Sequence, residues 1–105
     1  MDNCIFCKII EKQIPSNIVY ENDNCIAFKD IHPKADVHIL VIPKKHIVSL
    51  LDIDDSMQME LGQLMLNVSK VAKQLKLDGY KVNINNGIKG GQEIFHLHVH
   101  LLANY

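Results

Sequence analysis

The sequence predicts an α+β fold: a five-stranded antiparallel sheet with one long and one short helix. Three observations predict it. Short apolar segments recur between turn-forming residues, and most of their links are too short for the crossovers that parallel strands need. One stretch, from about Ser56 to Leu75, repeats its apolar residues with helical spacing. Near the end, Phe95 to Leu102 reads F-H-L-H-V-H-L-L, alternating imidazoles with aliphatic side chains at the two-residue period of a strand.

The elements follow in order. Asn3 is placed to cap a short helix from Ile5 to about Lys12, with Ile5, Phe6, Ile9 and Ile10 as its inward residues. Pro15 ends it. Asn17 to Tyr20 reads as a first strand, Glu21 to Asn24 as a hairpin turn, and Cys25 to Lys29 as a second strand ending at Asp30. Ile31 to Asp36 is a loop. Val37 to Ile42 is apolar almost throughout, as a central strand covered on both faces would be, with His38 its exception. Asp52 to Ser56 supplies capping residues for the long helix, whose stripe is Met57, Leu61, Leu64, Met65, Val68, Ala72 and Leu75. Asp78-Gly79 closes that helix. Tyr80 to Asn85 is the fourth strand, Asn86 to Gln92 a glycine-rich loop, and the histidine strand the fifth.

Composition bounds the function. A chain of 105 residues suits one domain, 1–105, and 48% hydrophobic with 22% charged residues excludes disorder. A net charge of −1 provides no broad basic field for nucleic acid. No apolar run reaches the roughly 20 residues of a membrane span, and the first residues lack the pattern of a signal peptide. A cytoplasmic location is the expectation, in which the three cysteines serve as thiols or ligands rather than in disulfides.

The chemistry concentrates in the histidines. A strand puts His96, His98 and His100 on one face, an unusual packing choice for the side chain that titrates near neutrality and serves as base, acid, nucleophile or metal ligand. A metal held by all three is disfavoured, because same-face neighbours on a strand sit about 7 Å apart. Structural histidines on a sheet face are the plain alternative. His38 is either a proton relay beside the three or a core histidine bonded to a carbonyl. Cys4-x-x-Cys7 is redox-active, incidental, or half of a zinc site that His46 and His96 would complete. Cys25 reads as a small buried residue. Asp30 is a turn residue by position, and Asn86 to Gln92 is either a hairpin loop or a cradle whose amides approach an anion.

H-L-H-V-H-L-L resembles the motif of the histidine triad family, and C-I-F-C-K-I-I-E-K-Q-I-P, A-F-K-D-I-H-P, H-I-L-V-I-P-K-K-H-I and N-N-G-I-K-G-G-Q-E-I-F-H resemble its Hint branch in the same order. The resemblance spans nearly the whole chain. It implies a homodimer joining two sheets edge to edge, and hydrolase or nucleotidyl-transferase chemistry on purine nucleotides such as AMP, GMP and their amidates. His98 would be the nucleophile, with His100 and His38 beside it. Asp30 would hold the ribose hydroxyls. Ile5, Phe6, Ile9, Phe28 and Ile31 would enclose the base, and Asn85, Gly91 and Gln92 would contact substrate. Many prokaryotic-type members carry a zinc site on the equivalents of Cys4, Cys7, His46 and His96, so the resemblance implies a structural zinc and no cofactor in the chemistry. Two departures stand out: Glu93 where the branch commonly has Ser or Thr, and little sequence beyond Leu102 to supply specificity. The implied reaction is hydrolysis of an AMP–amine P–N bond. The alternatives are a dinucleoside polyphosphate hydrolase, as in the Fhit branch, and a nucleotide-binding regulator with low turnover.

Overall fold

A computed structural model describes residues 3–104. Five strands form one antiparallel sheet: β1 (Ile18–Glu21), β2 (Cys25–Lys29), β3 (Val37–Pro43), β4 (Lys81–Asn83) and β5 (Val99–Ala103), in the spatial order β1-β2-β3-β5-β4. The short helix α1 (Ile5–Ile10) covers one face and the long helix α2 (Gln58–Gln74) the other. Among the described residues no helix is long and apolar enough to cross a membrane.

Strand alternation sorts the core. Cys25, Ala27, Ile39, Val41, Leu97, Val99 and Leu101 pack with Leu64, Val68, Val71 and Ala72 of α2. The intervening Ile26, Phe28, Leu40 and Ile42 pack with Phe6 and Ile9 of α1. β3 is therefore buried on both sides, as its continuous apolar run predicts. The β1–β2 turn is held by Asn22, whose Oδ1 accepts from the amides of Asn24 and Cys25.

Several boundaries differ from the sequence reading, each for a local reason. The cap of α1 is Cys4 rather than Asn3, its Sγ accepting from the Cys7 amide at 3.2 Å. The helix stops at Ile10, and Lys12 beyond it turns left-handed (φ 62°). Ile5, expected inward, is half exposed. β1 is shifted one residue from the expected Asn17 to Tyr20. The capping cluster ahead of α2 forms its own 3₁₀ turn, Asp55–Met57, with Asp54 accepting from the Ser56 amide. α2 thus starts at Gln58 rather than Ser56. Met65 faces solvent, whereas Val71 and Asn67, absent from the expected stripe, are buried. Lys76 (φ 58°), not Gly79, makes the closing turn, with the Leu77 amide bonded to the Ala72 carbonyl. β4 is only three residues long and exposed, a sheet edge. The fifth strand is regular from Val99, not Phe95: its ladder with β3 ends at Val41↔Val99, and Pro43, two residues further along β3, has no amide to donate.

Candidate functional site

The residues ahead of β5 leave the ladder but keep the alternation. The Leu97 amide bonds to the Ile47 carbonyl at 2.6 Å, and Leu97 stays in the α2 core. His96, His98 and His100 face the α1 side. His98 stacks edge-on to Phe6 (5.1 Å, 86°) and against His100 (4.9 Å, 63°), and His96 also lies against Phe6 (6.0 Å, 71°). The three histidines share a face, yet His96 and His100 belong to two clusters with opposite hydrogen-bond logic.

The first cluster joins Cys4, Cys7, His46 and His96, whose ligand atoms lie within 4.8 Å of one another. His96 is fully buried, and its Nε2 is 2.8 Å from the Pro43 carbonyl. A carbonyl accepts only, so Nε2 carries the proton and Nδ1 presents a lone pair. That lone pair faces Cys4 Sγ at 3.3 Å and Cys7 Sγ at 3.6 Å, while His46 Nδ1 lies 3.2 Å from Cys7 Sγ. A ring nitrogen fixed by a carbonyl on its far side is the usual support of a metal-bound histidine. Burial and the neighbouring Cys4 push the Cys7 thiol up to about 11, and burial pushes His96 down to about 4. Cys7, crowded against a second sulfur, resists ionising unless a cation joins it. Two sulfurs and two imidazole nitrogens therefore fit a soft or borderline metal ion.

The second cluster joins Asp30, His38 and His100, and it does not fit a metal. The Lys34 amide donates to His38 Nδ1 at 3.1 Å, so His38 holds its proton on Nε2. That proton points to His100 Nδ1 at 2.9 Å, with Asp30 Oδ2 at 3.3 Å. His100 consequently carries its proton on Nε2, and this atom is the buried side-chain polar atom without a partner among the described residues. The cluster is a directed chain of donors ending in an unused N–H. Burial, reinforced by His98 and His38, lowers His100 to about 4, and burial lowers His38 against the pull of Asp30. Both rings are neutral at pH 7, as the chain requires.

His98 stands between the two clusters. It is 7% exposed, and its Nδ1 lies 2.7 Å from the His96 carbonyl. Nδ1 therefore carries the proton, and Nε2 holds a lone pair that nothing among the described residues engages. Burial lowers His98, outweighing the His96 carbonyl and Asp30, so the ring is neutral and nucleophilic.

The glycine-rich loop folds against this side. Gly87 (φ 76°) and Gly91 (φ 86°) take positive-φ conformations around the turn Ile88–Gly90, and Gly91 is left-handed. The side chain of Gln92, expected to touch substrate, is engaged within the loop. Its Oε1 accepts from the Gly87 amide, and its Nε2 donates to the Val48 and Ile94 carbonyls. Asn85 receives a bond from Asn83 and lines a hollow of about 440 Å³ with His38, His100 and Lys34. Asp30 Oδ1 accepts from the His32 amide at 2.8 Å. Phe6, Ile9 and Phe28 are buried together, whereas Ile5 and especially Ile31, 85% exposed, stand clear of them. Glu93 lines a separate hollow of about 540 Å³ with Cys4, Ile5 and His46. Sequence reasoning missed the groups that set the tautomers: the Lys34 amide and the carbonyls of Pro43 and His96. Backbone groups leave no signature in side-chain pattern.

A two-faced antiparallel sheet with paired imidazoles on its short-helix side defines a histidine-cluster α+β protein. The HIT domain profile matches residues 11–105, and the chain belongs to that family. It is 52% identical over 104 residues to Protein HitA of Neisseria gonorrhoeae, covering 98% of this chain and 97% of that one. Among solved structures, a histidine triad protein from Clostridium difficile matches with TM-score 0.94 and 48% identity, over 100% of this chain and 92% of that one. A HIT family hydrolase from Clostridium thermocellum matches with TM-score 0.95 and 44% identity, over 100% and 93%.

Proposed function

We propose that this chain hydrolyses nucleoside 5′-monophosphoramidates, with purine nucleotides such as AMP as the nucleotide part and an amine as the leaving group. The observation that carries the reading is His98: a buried neutral imidazole whose Nδ1–H is held by the His96 carbonyl while Nε2 is left unengaged. Nε2 attacks the phosphorus, the P–N bond breaks, and the amine leaves with a proton. Water then attacks the nucleotidyl-His98 and frees the nucleotide, splitting one hard displacement into two easier ones. The unpartnered Nε2–H of His100, aligned through His38, is a donor for a phosphate oxygen. Asp30 takes the ribose, and Phe6, Ile9 and Phe28 with the rims Ile5 and Ile31 take the base. Asn85 and the backbone at Gly91 and Gln92 complete the contacts. Related structures from Clostridium thermocellum and Legionella pneumophila are named HIT family hydrolases, which agrees with this class of reaction.

Cys4, Cys7, His46 and His96 hold a structural zinc in this reading. It ties the start of α1 to the segment that carries His98 and takes no part in the chemistry. The chain works as a single cytoplasmic domain in a homodimer, without nucleic acid or membrane.

The test compares wild type with His98→Asn, both folded and carrying equal metal. The variant is expected to lose hydrolysis of an AMP-amidate and to retain AMP binding. Equal turnover in the two proteins would end the assignment. Diadenosine polyphosphates in the same assay identify a polyphosphate hydrolase, and binding without turnover in wild type identifies a regulator.

A further inference from the structure

Cys4 and Cys7 are oxidisable groups that the proposed nucleotidyl transfer leaves unused. We propose that they form a thiol–disulfide switch, operated by a hydroperoxide, that expels the bound ion and weakens the nucleotide pocket. The ion and the pocket rest on the function proposed above; the pairing of the two sulfurs does not.

Three observations carry it. The first is reach. The two sulfurs lie within 4.8 Å of each other, with Cys4 extended at the helix cap (φ −91°, ψ 106°) and Cys7 in the first turn, its amide bonded to Cys4 Sγ. Side-chain rotation can bring such neighbours into a bond. The second is access. Cys4 lines the open hollow of about 540 Å³ beside Asn3, Ile5 and Glu93, and neither thiol is fully buried. Cys25, by contrast, is 1% exposed and accepts a bond from Asn67 Nδ2, so it is shielded from oxidants. The third is consequence. The helix that begins at Cys4 places Phe6 against His98, and His96, the ligand both sulfurs face, holds His98 through its carbonyl. Losing the ion releases both supports of the nucleophile.

The chemistry balances with a hydroperoxide as the oxidant. The Cys4 thiolate attacks the terminal peroxide oxygen; an S–O bond forms, the O–O bond breaks, and the departing oxygen takes a proton to become water or an alcohol. The Cys7 thiolate then attacks the Cys4 sulfur; the S–S bond forms, the S–O bond breaks, and the hydroxide leaves as water with a second proton. Two thiolates are oxidised by two electrons and the peroxide is reduced by two. A disulfide sulfur is no longer a thiolate ligand, so the cation departs.

The test uses the full chain, reduced and loaded with zinc, exposed to hydrogen peroxide. Three quantities are followed: zinc reaching a chromogenic chelator, disulfide position by peptide mapping, and AMP affinity by calorimetry. The expected result is a Cys4–Cys7 disulfide forming in step with release of one zinc per chain. AMP binding should weaken at least tenfold and recover on adding reductant and zinc. Thiols that survive peroxide, zinc that stays bound as they disappear, or unchanged AMP affinity after oxidation would each overturn the proposal, as would a reduced chain that takes up no zinc. A reduced, zinc-loaded chain that binds no AMP would instead sink the nucleotide reading, while zinc and thiol readouts still judge the switch.

Discussion

Replacing His100 with Asn should flatten the pH dependence of stability, because the native protein holds this ring neutral. Its pKa falls from 6.5 to about 4 through burial, with His98 and His38 adding repulsion and Asp30 opposing. The unfolded chain therefore binds more protons than the folded one between these values. The stabilisation is fully present above pH 6.5 and is lost as pH falls toward 4. Full titration corresponds to about 3 kcal/mol at 1.36 kcal/mol per unit. By pH 5 the loss relative to pH 8 is roughly 2 kcal/mol, and nearer 1 once screening of the part-exposed ring is allowed for. Urea unfolding of wild type and His100→Asn at matched zinc, from pH 8 to pH 5, measures this as the change in the gap between two curves. Acid effects common to both proteins cancel in that difference. Wild type should lose 1–2 kcal/mol more than the variant over the interval. Parallel curves would refute the donor chain, since they would mean that His100 is as easily protonated folded as unfolded.

Two further changes probe the supports of the site. Phe6→Ala removes a ring that is 3% exposed and packs against Phe28, His96 and His98, so urea unfolding should show a loss of about 3–5 kcal/mol. A loss below about 1 kcal/mol would show that α1 is not packed as described. Gly87→Ala forces a Cβ onto a φ of 76° and to 3.0 Å from Leu51 Cδ1. The exposed Leu51 side chain can move, so the strain is mainly backbone, about 1–3 kcal/mol for a side chain at φ 76° and ψ 165°. The displaced loop should raise KM for an AMP-amidate several-fold, and an unchanged KM would separate this loop from substrate binding.

Much of the architecture was legible because periodicity is a local property. The alternation in 95–102 sorts His98 and His100 from Val99 and Leu101 whatever surrounds them, and β2 falls on its expected boundaries. The unbroken apolar run of β3 marks it as central. Boundaries were less legible because competing local bonds decide them. Asp54 starts a 3₁₀ turn where a helix cap was expected, and Lys76 closes α2 before Gly79 can. The expected apolar stripe of α2 included Met65 and omitted Asn67. The structure buries Asn67 because its amide meets Asn22, Cys25 and the Gln63 carbonyl at once, a set of partners assembled only by folding.

The sequence by itself determined which side chains share a face, and which residue types are chemically able to act as ligand or nucleophile, since both follow from spacing and chemistry along the chain. Only the tertiary structure decided what each imidazole does. Contacts between Cys4 and His96, 92 positions apart, make one cluster a lone-pair cage suited to a cation. The Lys34 amide makes the other a chain of donors. The physical reason is that a histidine's role depends on which nitrogen holds its proton, and that is set by backbone groups brought to it from elsewhere in the fold.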